Sequence, residues 1–253
     1  ADKVLTVGNT EYEQTYTIVP TIMTIYRGYT WADIQIGNTP VRFVTTHLES
    51  LWDDNKVPNA AIQAQQLIND LKESRMPVVV MGDFNSDPRD PRMPANPNPG
   101  EQPVASDACP AGTSKCNAYL LMTEAGFTDS GPDPLLPENY TWGMNALLTG
   151  PDPVRLKVAK QLGNYAGYTD RLDYIFVKNG IKVSLAGLVG SIAPNNLNTD
   201  HAGVVATLEI PVSSTERSAD LPEHAPFPIS FWQWVGIVAI ASIIALIIRK
   251  WRR

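Results

Sequence analysis

The sequence predicts an α+β protein of layered, mixed sheets flanked by helices. Three observations lead there. Short β-branched runs punctuated by turn signals recur from Thr15 to Ile210. One amphipathic helical segment separates two of these runs, which implies a helix-linked crossover. Other runs are joined by tight turns, as in hairpins, so a doubly wound parallel sheet is not expected.

The elements follow in order. Thr15 to Ile25 is rich in Thr, Ile and Val and reads as a strand. Trp31 to Ile36 alternates apolar and polar residues, Gly37-Asn38 is a turn signal, and Val41 to Thr46 is the next strand, so a hairpin ends at His47. Residues 59–75 form an amphipathic helix, with Ala61, Ala64, Ile68 and Leu71 on one face and Gln63, Asn69 and Lys72 turned away. Pro77 introduces the buried strand Val78-Val79-Val80-Met81, which stops at Gly82. Residues 86–115 make a long loop dense in Pro, Asn and Asp, a length that is usually functional or disordered. Asn117 to Ala125 is a short helix closed by Gly126. Tyr174 to Val177, Val183 to Val189 and Ala202 to Ile210 complete the strands.

Composition bounds the function. At 253 residues the chain can bury one large core or two small ones. All 26 acidic residues precede Phe227, whereas four of the 20 basic ones follow it, so residues 1–226 carry a net charge of −10. That argues against tight binding to bulk nucleic acid, which needs a basic face. Cys109 and Cys116 lie close together in a Pro/Gly/Ser-rich stretch. They are either free loop thiols or a disulfide. The disulfide is favoured because the segment has no other source of order, and it would imply an oxidising compartment.

The C-terminus carries a separate signal. Ile229 to Ile248 is an uncharged, largely apolar run of 20 residues, long enough to cross a ~30 Å hydrocarbon core. Trp232 and Trp234 lie at one end, and Arg249-Lys250-Trp251-Arg252-Arg253 closes the other. The expected organisation is a body at 1–212, a proline-punctuated linker at 213–228, a transmembrane helix at 229–248 and a basic cytoplasmic tail at 249–253. The positive-inside rule then places the body on the extracytoplasmic side. The chain opens at Ala1, without a methionine or a visible signal peptide, which reads as a processed or truncated N-terminus.

Four segments at strand ends carry the chemistry: Thr46-His47-Leu48-Glu49, Gly82-Asp83-Phe84-Asn85, Arg171-Leu172-Asp173-Tyr174 and Thr199-Asp200-His201. A rigid sheet can present such side chains to one cleft. Asp83 and Asn85 offer an anionic and a neutral oxygen two residues apart. Asp173 is suited to accept a hydrogen bond from an imidazole and fix its tautomer, the plainer alternative being a surface ion pair with Arg171. Aspartate next to histidine at 200–201 lets a carboxylate face a metal while the imidazole faces a reacting water. Taken singly, each segment is more often a turn, a cap or a structural histidine. His224, in the linker, reads as solvated.

Together their order resembles the endonuclease/exonuclease/phosphatase superfamily, which includes deoxyribonuclease I, abasic-site endonucleases, bacterial sphingomyelinases and inositol-polyphosphate phosphatases. The resemblance runs from about Ile25 to Ile210 and takes in Ala125-Gly-Phe-Thr-Asp-Ser130 and Tyr140-Thr-Trp-Gly143. It implies a four-layer α/β/β/α sandwich of two mixed sheets, here with its first strands missing. It implies His201 as general base oriented by Asp173, and Asp83 helping to activate the attacking water. Asn85 and His47 would hold phosphate oxygens, and Asp200, with Asp83, would contact the metal. Mg²⁺ or Mn²⁺ suits such an oxygen-rich site. One departure stands out. The family's metal-binding glutamate lies well upstream of the histidine strand, and neither Glu11 nor Glu13 fits that place. Truncation is the favoured reading, and it implies poor stability and weak activity for this chain alone. The expected function is a membrane-anchored, metal-dependent phosphoester hydrolase, monomeric, acting on nucleic acid, nucleotide or a phospholipid head group. The alternative is a non-catalytic surface-binding module on the same fold.

Overall fold

The computed structural model describes residues 3–19, 23–51, 57–92, 105–143, 153–190 and 199–212. The chain divides into two units, residues 1–219 and 220–253, and every described residue belongs to the first. The apolar run 229–248, its linker and its basic tail lie outside the described residues. Among those described, no helix is long and apolar enough to cross a membrane.

The elements are β1 (Lys3–Glu11), β2 (Tyr16–Val19), β3 (Met23–Ile25), β4 (Gly28–Ile36), β5 (Thr39–His47), α1 (Asn59–Leu71), β6 (Val78–Asp83), α2 (Ala118–Glu124), β7 (Thr128–Asp129), α3 (Pro153–Leu162), β8 (Asp173–Lys178), β9 (Lys182–Val189) and β10 (Gly203–Glu209). Six strands form one mixed sheet in the order β1-β4-β5-β6-β8-β7, while β9 pairs with β10 and β2 with β3. β5 and β6 run parallel, joined through α1 as the crossover requires, and β6 and β8 run antiparallel. This is the expected α+β class.

Strand alternation gives the large sheet two different faces. Val44, Val80, Tyr174 and Phe176 point to the side covered by α1 and α2, where Ala64, Leu67 and Met122 complete a dry core. The opposite side carries Val41, Val79 and Val177, with Phe43, Met81, Ile175 and Leu208 partly buried against them. Phe84 continues the helix-side core past the end of β6. It is fully buried, with edge-on contacts to Tyr174 and Phe176.

Several local readings change in three dimensions. The polar opening segment forms the edge strand β1, with Val4, Leu5 and Val7 exposed. Thr15 to Ile25 is not one strand but the hairpin β2–β3. Helix α1 stops at Leu71, short of residue 75. Gln63 does not face away. It is fully buried, accepts from the Glu49 N–H at 2.8 Å and donates to the Gln14 carbonyl at 2.9 Å. A polar residue can enter a core when loop backbone groups there need partners. Helix α3 arises where periodicity marked no element.

The described parts of the 86–115 loop are tied down by charge and by sulfur. Asp87 is fully buried, with both carboxylate oxygens bound to Arg89 at 2.7 Å and one of them 3.2 Å from Arg92. Arg92 reaches Asp170 at 2.7 Å, and the Asn117 amide donates to the carbonyls of Asp87 and Asp90. Cys109 and Cys116 form a disulfide. The pairing favoured from the sequence is therefore present.

Gly82 is the tightest point of the sheet. Its φ is +149°, and a Cβ there would lie 1.8 Å from the Thr46 carbonyl oxygen. No side chain fits without opening the β5–β6 pairing. Gly82→Ala should therefore destabilise the chain by about 3 kcal/mol or more, far beyond an ordinary glycine-to-alanine change. Urea denaturation of the two proteins measures it.

Candidate active site

Main-chain register brings three of the predicted residues into one row. His47 is the β5 partner of Asp83 in β6, and Asp83 is the β6 partner of Asp173 in β8. All three sit on the sheet face opposite the helices, one step beyond the row Thr45, Met81 and Ile175. The ladder continues past the strands, with the Leu48 N–H on the Asp83 carbonyl at 2.9 Å and the Phe84 N–H on the Leu172 carbonyl at 2.8 Å.

His201 joins the row from the start of β10. Its Nδ1 lies 2.9 Å from Asp173 Oδ2, and its Nε2 lies 3.9 Å from Asp83 Oδ2. Thr141 aligns the two strands. Its hydroxyl accepts the N–H groups of Leu172 and Asp173, and its carbonyl accepts the Ala202 N–H at 2.7 Å. Trp142 then bridges Asp170 and His201 and donates its indole N–H to Asp200 at 3.3 Å.

Asp173 is not the partner of a surface arginine. Arg171 is fully buried; its Nε donates to the Asp173 carbonyl, and one of its terminal nitrogens donates to the carbonyls of Pro132 and Asn139. Arg171 thus clamps the loops beneath the site and leaves the Asp173 carboxylate to His201. Asn85 has a positive φ of 45° and places its N–H 2.8 Å from Asp83 Oδ1, an Asx turn that orients that carboxylate. The Asn85 side-chain amide donates to the Leu48 carbonyl at 2.8 Å, which joins the ends of β5 and β6.

The carboxylates crowd one another. Burial, and then the charge of Asp173, push Asp83 up to about 7. Burial works to lower His201, but the hydrogen bond and charge of Asp173, with Asp83 and Asp200, outweigh it and raise the imidazole. His47 goes the other way, lowered by burial and then by the positive charges of Arg27 and His201. Asp83, Asp173 and His201 present ligand atoms all within 4.8 Å of one another. Two carboxylates held side by side, with Asp83 raised by burial and crowding, fit a divalent cation, whose positive charge both would face. Asp200, expected as a metal contact directly or through water, lies outside that group of three and accepts the Trp142 indole N–H.

The family model described as Endonuclease/Exonuclease/phosphatase family matches residues 12–195. The chain belongs to the endonuclease/exonuclease/phosphatase family. An endonuclease/exonuclease/phosphatase from Bacteroides vulgatus superposes with a TM-score of 0.50 at 19% identity, covering 83% of this chain and 67% of that one. A protein of the same family from Bacteroides thetaiotaomicron gives 0.50 at 16% identity, covering 83% and 66%. A mannosyl-6-phosphatase from Bacteroides thetaiotaomicron gives 0.49 at 14%, covering 83% and 67%. The likeness to the first two is one of fold. No curated protein matches the sequence. Within this endonuclease/exonuclease/phosphatase chain, Arg27 and Glu49 also border the row. Nε of Arg27 lies 3.1 Å from Glu49, and its NH1 lies 3.2 Å from His47 Nδ1. Glu49 stood in a segment the sequence singles out. Arg27 carried no signal, because only the β4–β5 pairing brings it to His47.

The raised Asp83 has a sign that can be tested. Between the unfolded carboxylate value near 3.8 and about 7, the metal-free folded state binds the extra proton, so stability falls as pH rises through that window. His201, raised, runs in the same direction: its contribution is full below 6.5 and is lost as pH rises through its folded value. Asp83→Asn keeps the acceptor for the Asn85 N–H and removes the charge. In EDTA it should stabilise the chain by about 1–3 kcal/mol above neutrality and by little near pH 4. Denaturation midpoints at the two pH values decide it; equal shifts would rule out charge crowding.

Proposed function

We propose that this chain is a metal-dependent phosphoester hydrolase in which water attacks phosphorus. The observation that carries the reading is the in-register row His47, Asp83 and Asp173 with His201 bonded to Asp173. Because Nδ1 of His201 is engaged by Asp173, its Nε2 is the nitrogen that faces Asp83 and can take a proton from water. The 3.9 Å between Nε2 and Asp83 Oδ2 is too long for a direct bond but suits two acceptors sharing one water. Asp173 then stabilises the imidazolium that forms. His47, on the other side of Asp83, is placed to donate toward a phosphate oxygen as charge builds on it. Such donors contribute roughly 3–4 kcal/mol each to lowering a barrier. A divalent cation, Mg²⁺ or Mn²⁺, held by Asp83 with neighbouring carboxylate oxygen, would supply positive charge against the phosphate.

The substrate class remains within phosphoesters: nucleic acid, nucleotide or a phospholipid head group. The net charge of −10 on residues 1–226 favours a small or membrane-borne ester over bulk duplex. Hydrolysis of an aryl phosphodiester by the full chain should require Mg²⁺, stop with EDTA, and fall by about 10³-fold with His201→Ala. Absence of metal-dependent turnover would turn the reading to a non-catalytic binding module.

The proposal extends to location. The uncharged 20-residue run 229–248, with two tryptophans near its start and a basic tail at its end, supports a single-pass anchor with the body on the extracytoplasmic side. Expressed in a bacterium, the full chain should stay with the membrane fraction through alkaline carbonate extraction, and a chain ending at residue 212 should not. Release of the full chain by carbonate would remove the anchor.

A further inference from the structure

We infer that Arg27 is a positioning residue that fixes the ring and tautomer of His47, and that Glu49 holds Arg27 in place to do so. The inference rests on the hydrolase reading only for its kinetic consequence; the tautomer itself is independent of turnover.

The argument begins with donors and acceptors. A guanidinium has only N–H donors. Arg27 NH1 lies 3.2 Å from His47 Nδ1, so that nitrogen can only accept. A neutral imidazole with Nδ1 accepting carries its proton on Nε2. Nε2 is the nitrogen that faces the site, 3.4 Å from Asp83 Oδ2. The side chain is therefore set as a donor toward the reacting centre and not as a base. That is the role opposite to His201, whose Nδ1 faces a carboxylate that can only accept a proton.

The brace behind Arg27 is built from buried groups. Glu49 is 1% exposed, while Arg27 is a quarter exposed. Glu49 Oε2 takes the Arg27 Nε–H at 3.1 Å, and its Oε1 takes the Leu51 N–H at 3.2 Å. The Glu49 backbone N–H is held by Gln63. On the other side, the Arg27 carbonyl accepts the Tyr12 N–H at 2.9 Å, and Gly28 lets β1 approach closely enough for that bond, since a Cβ there would meet the Thr10 carbonyl at 2.4 Å. Arg27 is thus fixed at both its backbone and its head, while the His47 side chain is half exposed.

The test reads the nitrogen shifts of His47 in the metal-free full chain at mildly alkaline pH, by ¹⁵N-resolved NMR. The wild type should show Nε2 protonated and Nδ1 bare. Arg27→Met should shift His47 to a mixture of tautomers, and Glu49→Gln should do so partly. Hydrolysis of the aryl phosphodiester should lose about tenfold in kcat with Arg27→Met, with KM changed by less than about twofold. In a His47→Ala background the same Arg27→Met change should cost nothing further. Nδ1 protonated in the wild type, or a tautomer unchanged by Arg27→Met, would overturn the inference. So would losses that multiply in the double variant, which would mean that Arg27 touches substrate directly. Because the NMR readout needs no activity, an inactive chain would count against the proposed function and leave this inference to be decided by the shifts.

Discussion

The register of β5, β6 and β8 is the constraint on which everything else depends. Hydrogen bonds between main chains set which residues stand side by side, and here they line up His47, Asp83 and Asp173. A slip of one residue in β6 would send Asp83 to the helix side and bring Gly82 or Phe84 into the row. Three features oppose that slip. Phe84 is locked in the aromatic core, Gly82 is the residue that can approach Thr46, and the ladder bonds continue through Leu48 and Phe84 beyond the strands. The site inherits its precision from the sheet.

That precision has an electrostatic cost. Asp83, largely removed from water and facing the Asp173 carboxylate across the adjacent strand, resists ionisation and is raised to about 7. A fold selected for stability alone would place apolar residues there, as it does one row below with Met81 and Ile175. The charges beneath the site are arranged differently. Asp87, Arg89, Arg92 and Asp170 are paired at short distance, and Arg171 is surrounded by carbonyl oxygens. Buried ion pairs of this kind add little net stability but penalise any arrangement that breaks them. They hold the loops around residues 87–92 and 129–142 in one conformation, and through Thr141 they set the distance between Asp173 and His201.

Much of this was legible in the residues. Strand ends bearing His47, Asp83, Asp173 and His201 were recognisable from composition and order, and the Cys109–Cys116 pairing from its setting. The misses share a cause. Gln63 looks like a solvent-facing helix residue, because nothing local says that Glu49 and Gln14 will present backbone groups to it. The Thr15 to Ile25 run has the β-branched composition of one strand, and its single break, Pro20, does not by itself say that the chain turns back to pair β2 with β3.

The sequence by itself determined the alternation of apolar and polar positions, the turns, and the chemical types at the strand ends, because these depend on neighbours within a few residues. Only the tertiary structure decided which of those groups act together and in what protonation state. The distance from His201 to Asp173, the crowding that raises Asp83 and the reach of Arg27 to His47 all arise from strand pairings between distant segments. Such pairings are set by register and burial, which no local window contains.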